Sequence, residues 1–400
     1  MRILIHMGDP YPNENPNAKR MRTFYEAFKE KGHDVCVMAP VYDRHPEELP
    51  DVYYCKTQPL KSKSSLNRLM NQIGFGMKSF IRSFRAGRID VVISTAPPAL
   101  ISPFGWMIAK MKHAKLVYDV RDIWPDVAWE MGSFDSHSLY SRIFEYVRNF
   151  MLKHADLVTA VSHGKVKKLQ GYEPKAQVIH IPNGLDEQFL KNADREELAE
   201  KYHMEEIFTC VYVGNLGLAQ GLMQLMHVAK KAEANGLNVQ FLLFGSGVEE
   251  KLLKAYAEEN HLNHVYFPGR LPNADMYTIL RHAKMSFVSL VNDKLQDSVP
   301  TKMFEALGAG CPVLLAAVGD AADILNECRL GIAVRPNDEE ALWNSFFRMY
   351  QNMPEIVKNR EHAKNIILTK YSRQRAAVLM ESELNKRFQK QENYAANQKA

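Results

Sequence analysis

At 400 residues, 46% of them apolar, the chain is longer than one hydrophobic core usually supports, which predicts two domains. A net charge of +5 is too mild to imply a nucleic-acid partner, and no low-complexity block interrupts the chain. Five scattered cysteines without a Cys-x-x-Cys spacing exclude a disulfide framework and predict reduced, buried thiols in a cytoplasmic protein.

Ile3-Leu4-Ile5 is too short for a signal peptide and runs into Asp9-Pro10, so residues 2–6 read as a strand. A helix over 18–31 ends at Gly32, and a strand over 34–38 completes a βαβ unit, the mark of a parallel sheet. Between Asp51 and Asp90 there is no acid, while Lys56, Lys61, Lys63, Arg68, Lys78, Arg82, Arg85 and Arg88 supply eight cations. Leu66, Leu69, Met70, Ile73, Met77, Phe80, Ile81 and Phe84 recur there at helical spacing. Such a basic amphipathic helix lies on anionic membranes, each near-surface cation contributing ~1 kcal/mol. The alternative is a stripe that covers the sheet beneath it. The missing acids favour membrane contact through residues 56–88 over nucleic acid.

Residues 91–109 carry no charge, nearly the length of a membrane span, but Pro97, Pro98 and Pro103 break the run into strand, turn and buried helix. Strands follow at 115–120, 157–161 and 177–181, and Pro182-Asn183-Gly184 is a turn signal that closes the first half. A charged helical connector over 193–202 precedes a second alternation, with strands at 208–213, 239–244, 265–267, 285–290, 312–316 and 332–334. Helices are predicted between them at 219–234, 249–259, 274–282 and 339–350. The expected organisation is one domain over 1–190 and a second over 191–370. A final helix, within 371–400, is expected to cross back to the first domain and end in a frayed tail. Two doubly wound domains in tandem place a ligand cleft between the carboxyl ends of their sheets.

The densest chemistry lies in Val299-Pro300-Thr301-Lys302-Met303-Phe304-Glu305. Pro300-Thr301 predicts a helix start, with Thr301 able to cap free amides. The helix amides and Lys302 would converge on a phosphate, and Glu305, one turn later, can accept from both hydroxyls of a ribose. Three loops follow successive strands: Gly214-Asn215-Leu216-Gly217, Gly245-Ser246-Gly247 and Pro268-Gly269-Arg270-Leu271. Their glycines would let the backbone approach a phosphate or sugar closely, and Arg270 would pack over a base. No Gly-x-Gly-x-x-Gly follows the first strand, and Walker, Gly-x-Ser-x-Gly and metal-ligand spacings are absent.

These segments, together with Gly32-His33-Asp34-Val35, Ser94-Thr95-Ala96-Pro97-Pro98, Arg121-Asp122-Ile123-Trp124-Pro125 and Pro182-Asn183-Gly184-Leu185-Asp186, resemble the retaining GT-B glycosyltransferases of family 4 over essentially the whole chain. The Arg-Asp-Ile-Trp-Pro and Pro-Thr-Lys versions are similar to the bacterial surface-polysaccharide branch, which includes N-acetyl-L-fucosaminyltransferase-type enzymes. The resemblance implies an α/β GT-B fold of two Rossmann-like domains facing a cleft. It implies transfer of a sugar, favoured as an N-acetylated aminosugar, from a nucleotide donor, favoured as UDP, to a lipid-linked or oligosaccharide acceptor. Such enzymes use neither metal nor cofactor, retain anomeric configuration and work at the inner face of the cell membrane.

By that resemblance Glu305 matches the second acid of the family's Glu-x7-Glu motif, and its partner falls at Asp297, a shorter carboxylate than usual. Lys302, Asp297, Asp122 and Arg121 are expected to act on the reacting groups. Thr301, Gly214, Asn215, Gly217, Gln220, Gly245, Ser246, Arg270 and Leu271 join Glu305 in holding the donor. Asn215 and Gln220 stand where many relatives place Arg and Lys, which leaves Lys302 and the helix amides to stabilise the leaving phosphate. The acceptor is expected on the first half, at Asn15, Asn17 and Arg20, with His163 read as a cap. A non-hydrolysing UDP-sugar 2-epimerase and a non-catalytic subunit are the alternatives.

Overall fold

The computed structural model describes residues 1–13, 15–42, 49–57, 65–132 and 135–389. They form two compact units, Met1–Asn183 with the residues from Arg373 on, and Gly184–Ser372.

The first unit begins with β1 (Arg2–His6), α1 (Pro16–Glu30), β2 (Asp34–Val41), β3 (Val52–Lys56) and α2 (Ser65–Ser83). It continues with β4 (Val91–Ala96), α3 (Ser102–Lys112), β5 (Lys115–Val120), α4 (Asp126–Glu130), α5 (Leu139–His154), β6 (Leu157–Ala160), α6 (His163–Gln170) and β7 (Val178–His180). All strands are parallel, in the order β3-β2-β1-β4-β5-β6-β7. The alternation of the sequence does not predict β3, a half-buried edge strand whose short Val-Tyr-Tyr run is flanked by Asp51 and Lys56. Strand residues divide by parity. Ile3, Ile5, Val35 and Val37 face a core shared with Met21, Phe24 and Phe28 of α1, while Leu4, Cys36 and Met38 face α2, α3 and α5.

The second unit contains α7 (Glu196–Lys201), β8 (Phe208–Val213), α8 (Met223–Ala234), β9 (Val239–Phe244), α9 (Glu250–Glu259), β10 (Val265–Gly269) and α10 (Met276–His282). Then come β11 (Met285–Ser289), α11 (Thr301–Gly308), β12 (Val313–Ala316), α12 (Asp320–Cys328), β13 (Gly331–Val334), α13 (Glu339–Ile356) and α14 (Arg360–Lys370). The sheet is again parallel, in the order β10-β9-β8-β11-β12-β13. Helix α8 starts at Met223 rather than 219, because Gly221 adopts a left-handed φ of 56° after a short 3-10 turn. Gly184 is required by close approach: a Cβ there would lie 2.2 Å from the Tyr371 carbonyl oxygen. That carbonyl accepts from Leu185 N–H at 2.9 Å, so the chain enters and leaves this unit side by side.

The last helix, α15 (Arg373–Leu384), packs on α1 in the first unit, burying Ala376, Ala377, Met380 and Leu384. Burial of Met380 and Leu384 stabilises that contact by roughly 1.5–3 kcal/mol each. His33 of the Gly-His-Asp-Val motif reaches Glu381 Oε1 at 3.1 Å, which gives that motif a structural task. Regular helix stops at Leu384 and a wider π turn runs to Gln389; the tail read as frayed lies outside the described residues. All five cysteines are buried and free.

Candidate active site

In the second unit the loops after β8, β9 and β10 are zipped together by backbone hydrogen bonds. Gly214 N–H donates to Phe244 O at 2.9 Å, Leu216 N–H to Ser246 O at 3.0 Å and Gly245 N–H to Gly269 O at 2.8 Å. Gly217, Gly245 and Gly247 therefore answer to protein rather than to open space, whereas a Cβ at Gly269 would meet nothing within 4 Å. A Cβ at Gly245 would lie 1.8 Å from Gly214 O, and one at Gly247 2.1 Å from Leu216 O. A Cβ at Gly217 would meet the Asn215 amide at 2.5 Å. This revises the reading of these residues as room for phosphate.

Helix α11 opens beside those loops. Pro300 occupies the cap position, Thr301 is the first helical residue, and no side chain caps the helix, so the expected Thr301 cap is not made. The first amides of α11 are thus left for another acceptor. Lys302 projects from this turn, and its Nζ lies 2.5 Å from Tyr212 Oη and 4.1 Å from the Tyr212 ring centroid. Burial pushes the Lys302 ammonium down to about 7, with Glu305 pulling the other way. Glu305 and Asp297 are both half-buried, and Ser298 donates to Asp297 Oδ1 at 3.5 Å.

The other residues expected to hold a donor lie on the adjoining loops. Arg270 Nε donates to Ser246 Oγ at 2.7 Å, tying the third loop to the second, and Leu271 beside it is half-buried. Asn215 is exposed, whereas Gln220 Oε1 is buried without a hydrogen-bond partner. Two residues that the sequence reading passed over belong here. Tyr212, next to last in β8, is fully buried, and Glu249 keeps an unpartnered buried oxygen. Burial raises the Glu249 carboxyl above the ordinary range. The signal available for Tyr212 was a phenol inside an inaccessible strand, since a buried hydroxyl must find a partner.

In the first unit the polar residues gather at the strand carboxyl ends near β1 and β4, where the strand order reverses. Asn15 caps α1 by accepting from Ala18 N–H at 2.8 Å, and Asn15 and Asn17 both donate to Asp9, another residue not singled out from sequence. Arg20 is 1% exposed. Its guanidinium donates to Asp119 at 3.1 Å, Ile181 O at 3.0 Å, Pro182 O at 2.7 Å and Asn183 Oδ1 at 3.3 Å, all inside this unit. Arg121 donates to Thr95 Oγ1 at 3.3 Å and to Pro97 O, so it braces the turn after β4. Asp122, with 42% of its side chain exposed, lies 3.9 Å from the buried Lys165 ammonium. Ser162, not His163, caps α6 by accepting from Lys165 N–H, and the His163 and His180 rings lie 4.1 Å apart.

Residues 18–189 match the family model described as Glycosyltransferase Family 4, and residues 194–367 match Glycosyl transferases group 1. The chain is 22% identical over 345 residues to the probable glycosyltransferase WbjE of Pseudomonas aeruginosa, covering 80% of this chain and 84% of that protein. It is 21% identical over 223 residues to O-antigen chain mannosyltransferase C of Escherichia coli, covering 55% and 57%. Among solved structures, a sucrose-phosphate synthase from Thermosynechococcus elongatus superposes with a TM-score of 0.80 at 18% identity, covering 96% of this chain and 99% of that one. HepE of Anabaena in complex with UDP-glucose gives 0.73 at 14% identity, covering 96% and 99%.

Proposed function

Since this chain is a family 4 glycosyltransferase of GT-B fold, we propose that it moves a sugar from a UDP-linked donor to a lipid-linked or oligosaccharide acceptor in bacterial surface-polysaccharide synthesis. One observation carries the reading: Lys302 and the uncapped amides of α11 converge beside three interlocked loops. Breaking the anomeric C–O bond leaves charge on a diphosphate, and a cation with aligned amides stabilises that charge as it develops. Glu305 clasps the ribose, Arg270 packs over the base, and Asp297 meets the donor sugar, favoured as an N-acetylated aminosugar. The UDP-glucose bound by HepE and the O-antigen role in the name of the Escherichia coli relative support the donor and the pathway class. Transfer with retention follows from the family resemblance.

Glu305→Ala is expected to weaken UDP binding, measured by calorimetry, by about tenfold or more, the worth of hydrogen bonds to a charged group. An unchanged affinity overturns this assignment of the ribose. The first unit takes the acceptor in this proposal, through Asp122, Asn15 and Asn17, with Arg20 acting as a positioning residue beneath them.

The same reading places the protein at the inner face of the cell membrane through α2. Among the described residues no helix is long and apolar enough to cross a membrane. Phe75, Ser79 and Ser83 of α2 are buried toward the sheet, and Ser79 Oγ pairs with buried His6 Nε2 at 3.0 Å. Leu69 and Phe80 also pack on the core, so the stripe covers the sheet in part. Met70, Met77, Ile81 and the adjoining Phe84 are instead 55–64% exposed, and the exposed Lys78 and Arg85 directly follow Met77 and Phe84 in the chain. Lys61, Lys63 and the Leu66 side chain lie outside what is described. An apolar row amid cations suits an anionic lipid surface. Ile81→Asp with Phe84→Asp is expected to lower sedimentation with anionic vesicles at low salt by at least about tenfold, since each side chain contributes roughly 1.5–3 kcal/mol when buried. Unaltered partition rejects α2 as the contact.

A further inference from the structure

Tyr212 sits at the centre of a hydrogen-bond chain whose direction is set when Lys302 is charged. The charged ammonium cannot accept, so in that form Lys302 Nζ donates to Tyr212 Oη at 2.5 Å. The phenol has a single proton, and it goes to the Asn215 carbonyl at 2.6 Å. The Tyr212 ring is fully buried and lies 4.1 Å from the ammonium, close enough for attraction between cation and ring face. Gly214, with φ at 149°, leaves the space that Nζ enters, since a Cβ there would stand 3.0 Å from it.

We infer that Tyr212 is the positioning residue of the donor site, holding the Lys302 ammonium and the Asn215 backbone in register through one hydroxyl. The inference rests on the proposed donor reading, in which Lys302 meets the diphosphate. Asn215 and Gln220 bring no charge to the loop after β8, so the direction in which Lys302 points decides where the positive charge stands. A lysine stem has four carbons and several rotamers, and fixing it before the ligand arrives removes an ordering cost from binding. Tyr212 supplies that fixing from three sides: an acceptor for Nζ, a ring face beneath it, and a tether on the loop that flanks it.

A double-mutant cycle on the full chain tests the inference, with UDP as the probe and calorimetry as the readout. Tyr212→Phe keeps the ring and removes the hydroxyl, and is expected to weaken UDP about tenfold beside Lys302. In the Lys302→Met background the same change is expected to cost less than about twofold, because no ammonium remains to be held. Equal losses in both backgrounds mean that Tyr212 merely supports the loop, and overturn the inference while leaving the donor site standing. Unchanged UDP affinity in Lys302→Met overturns the donor-site reading, and the inference with it. Thermal melting of each variant separates either result from a failure to fold.

Discussion

Replacing Lys302 with methionine is expected to lower kcat/KM by about 10²–10³-fold, the usual effect of removing one preorganised stabiliser of developing charge. It is also expected to abolish the pH dependence of nucleotide-sugar binding above neutrality. In the ligand-free protein, burial pushes the Lys302 ammonium down to about 7, partly offset by Glu305. A diphosphate favours the charged form and raises that value again. Affinity for UDP-glucose is therefore highest at and below pH 7 and falls by about tenfold per pH unit as pH rises beyond it. UDP-glucose serves better than UDP here, since its diphosphate has no terminal ionisation near pH 6. Lys302→Arg keeps the charge and flattens the profile without losing all affinity. A wild-type profile that is flat from pH 6 to 9 would refute this account. The sign for stability runs the other way. A depressed lysine is a cost to the folded state at neutral pH, relieved as pH rises toward the ordinary value near 10.4. Lys302→Met should thus melt no lower than the parent, which separates a catalytic loss from a folding defect.

Arg20→Met is expected to be the most damaging single change to stability, at about 3–5 kcal/mol, because it strands a buried carboxylate. Arg20 and Asp119 are 1% and 0% exposed and 3.1 Å apart. Burial drives the Asp119 carboxyl up, but Arg20 and the Thr159 hydroxyl more than compensate and hold it below the ordinary range. In the parent this contributes stability that is present above the unfolded value near 3.9 and is lost as pH falls through the folded value. In the variant the uncompensated carboxyl is raised instead, so stability is lost as pH climbs above about 4. The gap between the two proteins, measured by urea unfolding, should be widest at pH 7–8 and narrow toward pH 4. A loss below about 1 kcal/mol at pH 7 refutes the role. Since Arg20 also holds the carbonyls of Ile181 and Pro182, adding Asp119→Leu is expected to recover only part of it.

Much of the local structure of the proposed donor site is legible in the sequence. Helix α11 was readable because Pro-Thr at its start and Gly310 beyond its end are local signals, and Lys302 and Glu305 share a face by helical spacing alone. The glycine-bearing loops were found in their places, but the reason for the glycines was not. Gly245 and Gly247 pack against the Gly214 and Leu216 carbonyls, more than 25 residues earlier in the chain. Arg20 was misjudged for a similar reason. It follows Asn15, Asn17 and Lys19 in a polar loop and first turn, whereas its partners in space are Asp119 and the 181–183 segment.

The order of residues by itself determined two parallel alternations of strand and helix, the place of α11 and the basic, acid-free run that becomes α2. Each of these follows from periodicities of two to four residues and from capping and turn chemistry, which act within a few positions. Only the folded chain decided that Met70, Met77, Ile81 and Phe84 remain outside the core, that α1 is the helix on which the returning α15 packs, and that Tyr212 receives Lys302 from 90 positions away. Which side chain fills a given space, or accepts a given proton, depends on segments that sequence spacing does not relate. Packing and hydrogen bonding settle those questions once strands from distant parts of the chain lie side by side.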